Sequence, residues 1–289
     1  MRELFNLLTC KPINLPTYQL TTLELIGYIA SVLIGISLGL VGSGGSILTV
    51  PVLVYLMQVN PLLATTSSLF IVGFTSLVGG LRAYSRKLVD FKAVTEFGIP
   101  SIFSIFIARH YILPAIPSHL FTIGNLIVTK EVFLMIFFAL LMLIASYTMI
   151  RSQQAELKVG IVEKDRHNKA LPLVILGFLI GIVTGLLGAG GGFLIIPTLV
   201  LFLRLPMKTA VGTSLLIIAI NSLLGFLFSL KQFEYNWILL LSFTGLAIIG
   251  IFIGGKLADR ISGSSLKKGF GWFVLLMAIY IILKELVIK

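Results

Sequence analysis

The chain has 289 residues, of which 57% are hydrophobic and only 11% charged, and its mean hydropathy is +1.08. A soluble domain carries about 25% charged residues, so this composition excludes an ordinary soluble protein. The net charge of +11 does not indicate nucleic acid, because the basic residues stand in short loops beside apolar segments, the pattern that orients membrane proteins. We expect the lipid bilayer as a partner and no nucleic acid.

The N-terminal segment, residues 1–22, contains two prolines and several charges but no sustained apolar core. It is not typical of a cleaved signal peptide, and we predict an interfacial segment. Cys10 is the only cysteine, which excludes an intrachain disulfide and a cysteine metal cluster. We predict no metal and no cofactor.

Long apolar segments fill the rest of the chain. Between Glu24 and Arg82 there is no charged residue and no histidine, whereas a spanning helix needs about 20 residues, so this stretch folds back at least once. We predict an all-α polytopic membrane protein in the cell (plasma or inner) membrane. The predicted glycine-interrupted segments are 23–57 and 170–203, and the predicted ordinary spans are 62–81, 93–113, 130–150, 209–230, 236–255 and 268–288.

The two halves of the chain resemble each other. Residues 35–79 align without gaps with residues 181–225 at an offset of 146, with 18 identities in 45 positions. The identities include several glycine pairs and a proline pair, which apolar composition alone does not place in register. We predict two homologous transmembrane repeats, 23–150 and 170–289, joined by a polar cytoplasmic linker, 151–169.

The number of crossings in each repeat stays open at four or five. Four crossings make the repeats parallel, and five make them inverted, a common arrangement in transporters. Counting Lys and Arg places 14 of the 22 inside with four crossings and 15 with five, which does not decide the matter. The basic loop 256–268 favours the inverted arrangement, because the parallel one places it outside.

Each repeat contains a glycine-rich break, Gly42–Pro51 in the first and Gly188–Pro197 in the second. Glycine costs about 1 kcal/mol relative to alanine within a helix, so such clusters predict unwinding. Unwound backbone in a bilayer must be buried in protein or line a cavity, and paired breaks indicate a transporter's binding site. Free N–H groups at the start of a half-helix suit an anion. Close packing of helices through small residues is the alternative.

These features resemble the TauE/SafE family of sulfite and organosulfonate exporters over residues 23–288. In the second repeat the break is followed by Lys208-Thr-Ala-Val-Gly-Thr-Ser214, and the first repeat carries Leu63-Ala-Thr-Thr-Ser-Ser68 at the equivalent place. The resemblance implies a secondary transporter of sulfite, thiosulfate, sulfonates or similar anions. The first break adds hydroxyl groups at Ser43, Ser46 and Thr49, so the halves are not chemically equivalent.

Hydroxyl groups can donate to sulfonate oxygens without the desolvation cost of a buried cation. Alternatively, each bonds its own helix backbone or a neighbouring helix. The candidate substrate-binding residues are Gly42, Ser43, Gly44, Gly45, Ser46, Thr66, Ser67, Ser68, Gly188, Gly190, Gly191, Gly192, Thr213, Ser214 and Asn221. Thr75, Ser76 and Ser222 are expected near the same cavity.

Charged residues are rare in the predicted spans, and we expect no basic residue at mid-membrane. Arg82, Arg204 and Lys208 could attract anions to a vestibule or simply anchor the interface. Glu96 is a candidate for proton coupling. We predict a small-anion carrier that works by alternating access and is not an enzyme. The alternatives are a passive channel and, remotely, an intramembrane hydrolase, which lacks a histidine base within reach of Ser43.

Overall fold

A computed structural model describes residues 22–42, 45–123, 126–151, 170–258 and 263–287. Almost all of the predicted 1–22 segment, residues 152–169 of the linker, and Ser43 and Gly44 lie outside the described residues. The described part is helical apart from one β-hairpin. Its helices are α1 (Thr22–Val41), α2 (Ser46–Tyr55), α3 (Pro61–Ser85), α4 (Phe91–Ile107), α5 (Leu113–Ala115), α6 (Lys130–Arg151), α7 (Ala170–Leu187), α8 (Gly192–Leu203), α9 (Met207–Ser229), α10 (Trp237–Leu257) and α11 (Gly263–Val287).

Six helical segments of the described chain are long and apolar enough to cross a membrane. This finding confirms a helical multi-pass membrane protein. Five of the six segments begin and end within a few residues of predicted ordinary spans, whereas the first covers only the part of the predicted segment 23–57 before its glycine break, and the predicted segments 170–203 and 268–288 are not among the six. The six segments are Glu24–Val41, Pro61–Ser85, Phe91–Ala115, Lys130–Tyr147, Met207–Gln232 and Trp237–Leu257.

Short polar caps fix where three of these helices begin. The side chain of Asn60 accepts a hydrogen bond from the amide of Leu62 at 3.0 Å, and Asp90 accepts one from Ala93 at 3.0 Å. Asn236 caps α10 in the same way. Each cap satisfies an amide that has no partner within the helix. Two of them, Asp90 and Asn236, follow a short loop after the preceding long helix.

The first helix and the short helix after it form a hairpin. Gly27 near the start of α1 lies against Met57, just beyond α2, and Gly45 lies against Ile34 and Leu38 of α1. The chain therefore turns back at the glycine break and returns towards the face where α1 begins, which we call the N-terminal face. The second half does the same, because Gly191 lies against Thr184 of α7. The opposite face is called the linker face.

The central helices α3 and α9 pack antiparallel. Gly79 near the end of α3 lies against Leu215 near the start of α9, and Gly225 near the end of α9 lies against Leu69 near the start of α3. The outer helices pair across the halves and run parallel. Gly35 of α1 lies against Ala247 of α10, and α7 pairs with α4 in the same way.

A β-hairpin separates α5 from α6 at the N-terminal face. Strand β1 (His119–Ile123) pairs antiparallel with β2 (Leu126–Thr129). This hairpin departs from the predicted all-α fold, because strands of five and four residues beside membrane spans leave little periodic signal in the sequence. It follows an irregular end of α4, where a π-helical turn (Ala108–Ile112) precedes α5.

Candidate functional site

A cavity of about 360 Å³ lies at the linker face. It is enclosed by the ends of α1, α3 and α10 and by the first turns of α9. Three basic side chains, Arg82, Arg86 and Lys208, line it, and none of its described lining residues is acidic. Arg86 and Lys208 are exposed, so the cavity opens at this face. Its charge and opening suit a small anion arriving from the linker side.

Arg82 reaches across this cavity to α10. A Cβ atom at Gly255 would lie 2.5 Å from Nη1 of Arg82, so the guanidinium group occupies space that only glycine leaves. Of the three cations predicted to attract anions, the structure places Arg82 and Lys208 together in the cavity. Arg204 does not line it; this residue ends α8 with a positive φ of 52° and is exposed at the linker face.

The glycine breaks adopt backbone conformations that other residues rarely take. Gly42 has a φ of 83°, and Gly188, Gly190 and Gly191 have φ values between 66° and 70°. Among the described residues, no side-chain cap is seen at the start of α2 or α8. Ser46 and Gly192, the first residues of the half-helices, are both buried, so the backbone amides of these two helix starts lie inside the protein.

Each break packs against the central helix of the other half. A Cβ atom at Gly42 would lie 2.6 Å from Cγ1 of Val211 in α9, and one at Gly188 would overlap the main chain of Thr65 in α3. These two contacts are related by the same offset of 146. Farther along the second break, Gly190 lies against Val72, Ile218 and Ser222, near the middle of the α3–α9 pair.

Buried polar atoms collect around this midpoint. The hydroxyl groups of Ser76 and Ser222 are buried and have no partner among the described residues. Asn221 donates from Nδ2 to Oγ of Ser101 at 2.7 Å, whereas its Oδ1 has no described partner. Thr75 donates to the carbonyl of Ile71 in its own helix. Unused donors and acceptors here could serve a ligand held between the two breaks.

The serines paired by the repeat, Ser68 and Ser214, are not brought together. Ser68 precedes Leu69, near Gly225, whereas Ser214 precedes Leu215, near Gly79. Ten residues of α3 separate these levels, about 15 Å at 1.5 Å per residue. Ser214 donates to the carbonyl of Val211, but the buried Ser68 hydroxyl has no described partner. One ion cannot contact both in this state.

The remaining predicted hydroxyls already have structural roles or lie buried. The Thr213 hydroxyl accepts a hydrogen bond from the amide of Asp90 at 2.9 Å, tying α9 to the loop before α4. Ser67 is buried in the first turns of α3.

Glu96 lies about one turn inside α4, with its carboxylate 3.9 Å from Lys92. A proton-coupling role for Glu96 stays a prediction.

Arg109 is the functional candidate that sequence reasoning missed. It lies in the π-helical turn after α4, within the candidate span Phe91–Ala115, and its exposed fraction is 0%. Nη1 donates to the hydroxyl of Thr66 at 2.8 Å. Arg109 lies near the end of this span at the N-terminal face, so it is not a mid-membrane cation, but a fully buried arginine within a span was not predicted. A usable signal was present: Arg109 lies inside the predicted span 93–113, at the repeat position of Gly255.

Six helical segments of the described chain are long and apolar enough to cross a membrane, which is the architecture of a multi-pass membrane protein. The chain belongs to the sulfite exporter TauE/SafE family, whose family model matches residues 28–281.

Relatives in two bacteria resemble the chain over nearly its whole length. A "probable membrane transporter protein" of Xylella fastidiosa strain Temecula1 is 30% identical over 86% of this chain and 91% of its own. The probable membrane transporter protein YunE of Bacillus subtilis is 29% identical over 89% and 96% of the two chains. No solved structure matches.

Proposed function

We propose that this protein is a secondary transporter that moves a small sulfur-containing anion (sulfite, thiosulfate or a sulfonate) across the cell membrane by alternating access. The observation that carries the proposal is the cavity at the linker face, which has three basic and no acidic side chains among its described lining residues. The substrate class is supported by membership of the sulfite exporter TauE/SafE family. The anion would bind between the two glycine breaks, beside the hydroxyls of Ser76 and Ser222, which have no partner among the described residues.

An inverted duplication accounts for this packing. The helix starts Ser46 and Gly192 differ by 146 positions, as do Pro61 and Met207. Antiparallel central helices with parallel cross-paired outer helices are the arrangement that inverted repeats produce. Each repeat then contributes a hairpin and three crossing helices, equivalent to the five-segment count.

The distribution of basic residues supports a cytoplasmic linker face and an external N-terminal face. Among basic residues with described side chains, the linker face holds Arg82, Arg86, Lys87, Lys92, Arg151, Arg204, Lys208 and Lys256. The N-terminal face holds Arg109, Lys130, Lys231 and Lys284. The cavity thus opens to the cytoplasm, and its anion would leave at the N-terminal face.

Export of an anion needs no dedicated proton relay. The membrane potential, negative inside, favours outward movement of negative charge by about 2.3 kcal/mol per elementary charge per 100 mV. If Glu96 couples a proton, neutralising it as Glu96→Gln would remove any dependence of transport on the pH gradient. Transport driven by the potential alone would keep the same pH dependence in that variant.

The first experiment is a thermal-stability screen of purified protein in detergent. A ligand that binds only the folded state stabilises it by about 2.7 kcal/mol at 100 times its Kd. We expect sulfite, thiosulfate, taurine or sulfoacetate to raise the melting temperature, and acetate and benzoate to leave it unchanged. Stabilisation by none of the sulfur anions in a well-folded preparation would reject this substrate class.

Counterflow in proteoliposomes separates a carrier from a passive channel. Vesicles loaded with unlabelled anion should transiently accumulate labelled anion above its external concentration, because a carrier exchanges one molecule for another. Linear, non-saturable uptake without that overshoot would instead establish the channel alternative.

A further inference from the structure

Arg109 is a buried cation without a counter-charge among the described residues. Its side chain has no exposed surface, and only Nη1 has a described hydrogen-bond partner, the hydroxyl of Thr66. Nε and Nη2 have none. A buried charge that is neither paired nor hydrogen-bonded is strongly unfavourable, so a group at this position requires a negatively charged partner for at least part of its working cycle.

The neighbouring phenol of Tyr235 does not supply that charge. Burial raises the pKa of the Tyr235 hydroxyl to about 12, and the charge of Arg109 only partly opposes this rise. The hydroxyl therefore stays protonated at neutral pH. It donates its proton to the carbonyl of Ser229 at 3.0 Å. Thr66 is also neutral, so the contacts described around the guanidinium leave its charge uncompensated.

The two free nitrogens of Arg109 form one edge of the guanidinium plane. Nε–H and the neighbouring Nη2–H point in nearly the same direction, and this fork matches two oxygens of a carboxylate, sulfonate or phosphate group. Thr66 holds Nη1, at the far edge. The hydrogen bond to Thr66 therefore orients the guanidinium group while Nε–H and Nη2–H have no described acceptor, an arrangement suited to binding an oxyanion.

Arg109 also lies at the end of the central helices opposite the open cavity. Thr66 is in the second turn of α3 at the N-terminal face, whereas Arg82 ends the same helix at the linker face. Arg82 lies beside Gly255, and Gly255 is the residue that corresponds to Arg109 in the other repeat, because 255 − 146 = 109. Each end of the α3–α9 pair thus carries one arginine in the corresponding space, contributed by α3 at one end and by the turn after α4 at the other.

We propose that Arg109 binds the transported oxyanion through Nε and Nη2 when the pathway is open at the N-terminal face, as the external counterpart of the cavity beside Arg82. This inference rests on the proposed function and adds a second binding position to it. In the present state the external end is closed over Arg109.

Uptake into membrane vesicles of opposite orientation tests the proposal. Right-side-out vesicles report the apparent Km at the N-terminal face, and inside-out vesicles report the Km at the linker face, each for radiolabelled sulfite or taurine. We expect Arg109→Lys, which keeps the charge but loses the fork, to raise the external Km about tenfold or more. The internal Km should change less than twofold. Arg82→Gln should give the opposite pattern.

Thr66→Val provides a variant that keeps Arg109 itself. Without its hydroxyl acceptor the guanidinium is less well oriented, so the external Km should rise by a smaller factor while the internal Km holds. A purely structural Arg109 would change expression, melting temperature or both Km values equally. An unchanged external Km in folded Arg109→Lys, or equal rises at both faces, would overturn this inference while wild-type transport upheld the proposed function. Absence of saturable uptake by the wild-type protein would instead reject the proposed function.

Discussion

Gly188 lies directly against the main chain of Thr65, so that the second glycine break rests on the first turns of α3 in the other half. Its φ of 70° adds a second requirement for glycine. We expect Gly188→Ala to lower the free energy of unfolding by more than the roughly 1–2 kcal/mol that a left-handed alanine costs, because the added methyl group also overlaps the backbone of α3. A melting curve in detergent measures this change.

Gly245→Ala is the matched control for that substitution. Gly245 lies inside α10, and a Cβ atom there meets nothing within 4 Å. Alanine should be neutral or stabilise the helix by up to about 1 kcal/mol. Equal melting temperatures for the two variants would contradict the role assigned to the Gly188 contact.

Lys208 and Arg204 flank one tight turn and are both exposed, but only Lys208 lines the cavity. We expect Lys208→Gln to raise the apparent Km for anion at the linker face several-fold at low ionic strength, and less at high salt, because exposed charges act through a screened field. Arg204→Gln should have little effect. The apparent Km of each variant is measured from vesicle uptake at two salt concentrations. A larger effect of Arg204→Gln than of Lys208→Gln would show that the vestibule lies elsewhere.

Ser222 and Ser214 offer a similar comparison within α9. The Ser222 hydroxyl is buried beside Gly190 without a described partner, whereas the Ser214 hydroxyl donates to the carbonyl of Val211 at 2.8 Å. We expect Ser222→Ala, alone or with Ser76→Ala, to weaken anion binding by about 1 kcal/mol per lost hydrogen bond. Ser214→Ala should leave the Kd unchanged. Anion-dependent melting shifts report the Kd, and the reverse order would move the binding position towards the linker face.

Tyr55 at the end of α2 donates a hydrogen bond to Oε1 of Glu285 at 3.0 Å, and this carboxylate is only 4% exposed. Tyr55→Phe leaves one oxygen of a buried charged group without that donor, so we expect a loss of about 1–3 kcal/mol in stability. Tyr280→Phe keeps its edge-to-face contact with Tyr55 and leaves the Glu285 bond intact. Similar melting temperatures for the two phenylalanine variants would show that the hydroxyl bond contributes nothing.

The sequence locates most of the long helices well, because each is a long apolar run with polar residues at its ends. Asn60, Asp90 and Asn236 cap the starts of α3, α4 and α10 and so fix where these helices begin. The two glycine clusters can also be found in the sequence, because several helix-breaking residues close together within an apolar run predict a break in the helix. The contacts of each cluster could not be predicted, because they are made with residues far away in the sequence. Ser68 and Ser214 are equivalent in the alignment, yet the antiparallel pairing of α3 and α9 separates them. The position of Arg109 within a span can be read from the sequence, but its burial depends on the irregular turn that follows α4, which no helical pattern predicts.

The reciprocal contacts of Gly42 with Val211 and Gly188 with Thr65 have a consequence for biosynthesis. While the first half is being inserted, the chain that will cover its glycine break has not yet left the ribosome. The buried polar backbone at that break has to wait in the bilayer for α9 before it acquires its native neighbour. The contact between Gly42 and Val211 therefore forms only after α9 has been synthesised, late in translation. A truncated chain ending in the linker would expose that surface to quality-control proteases.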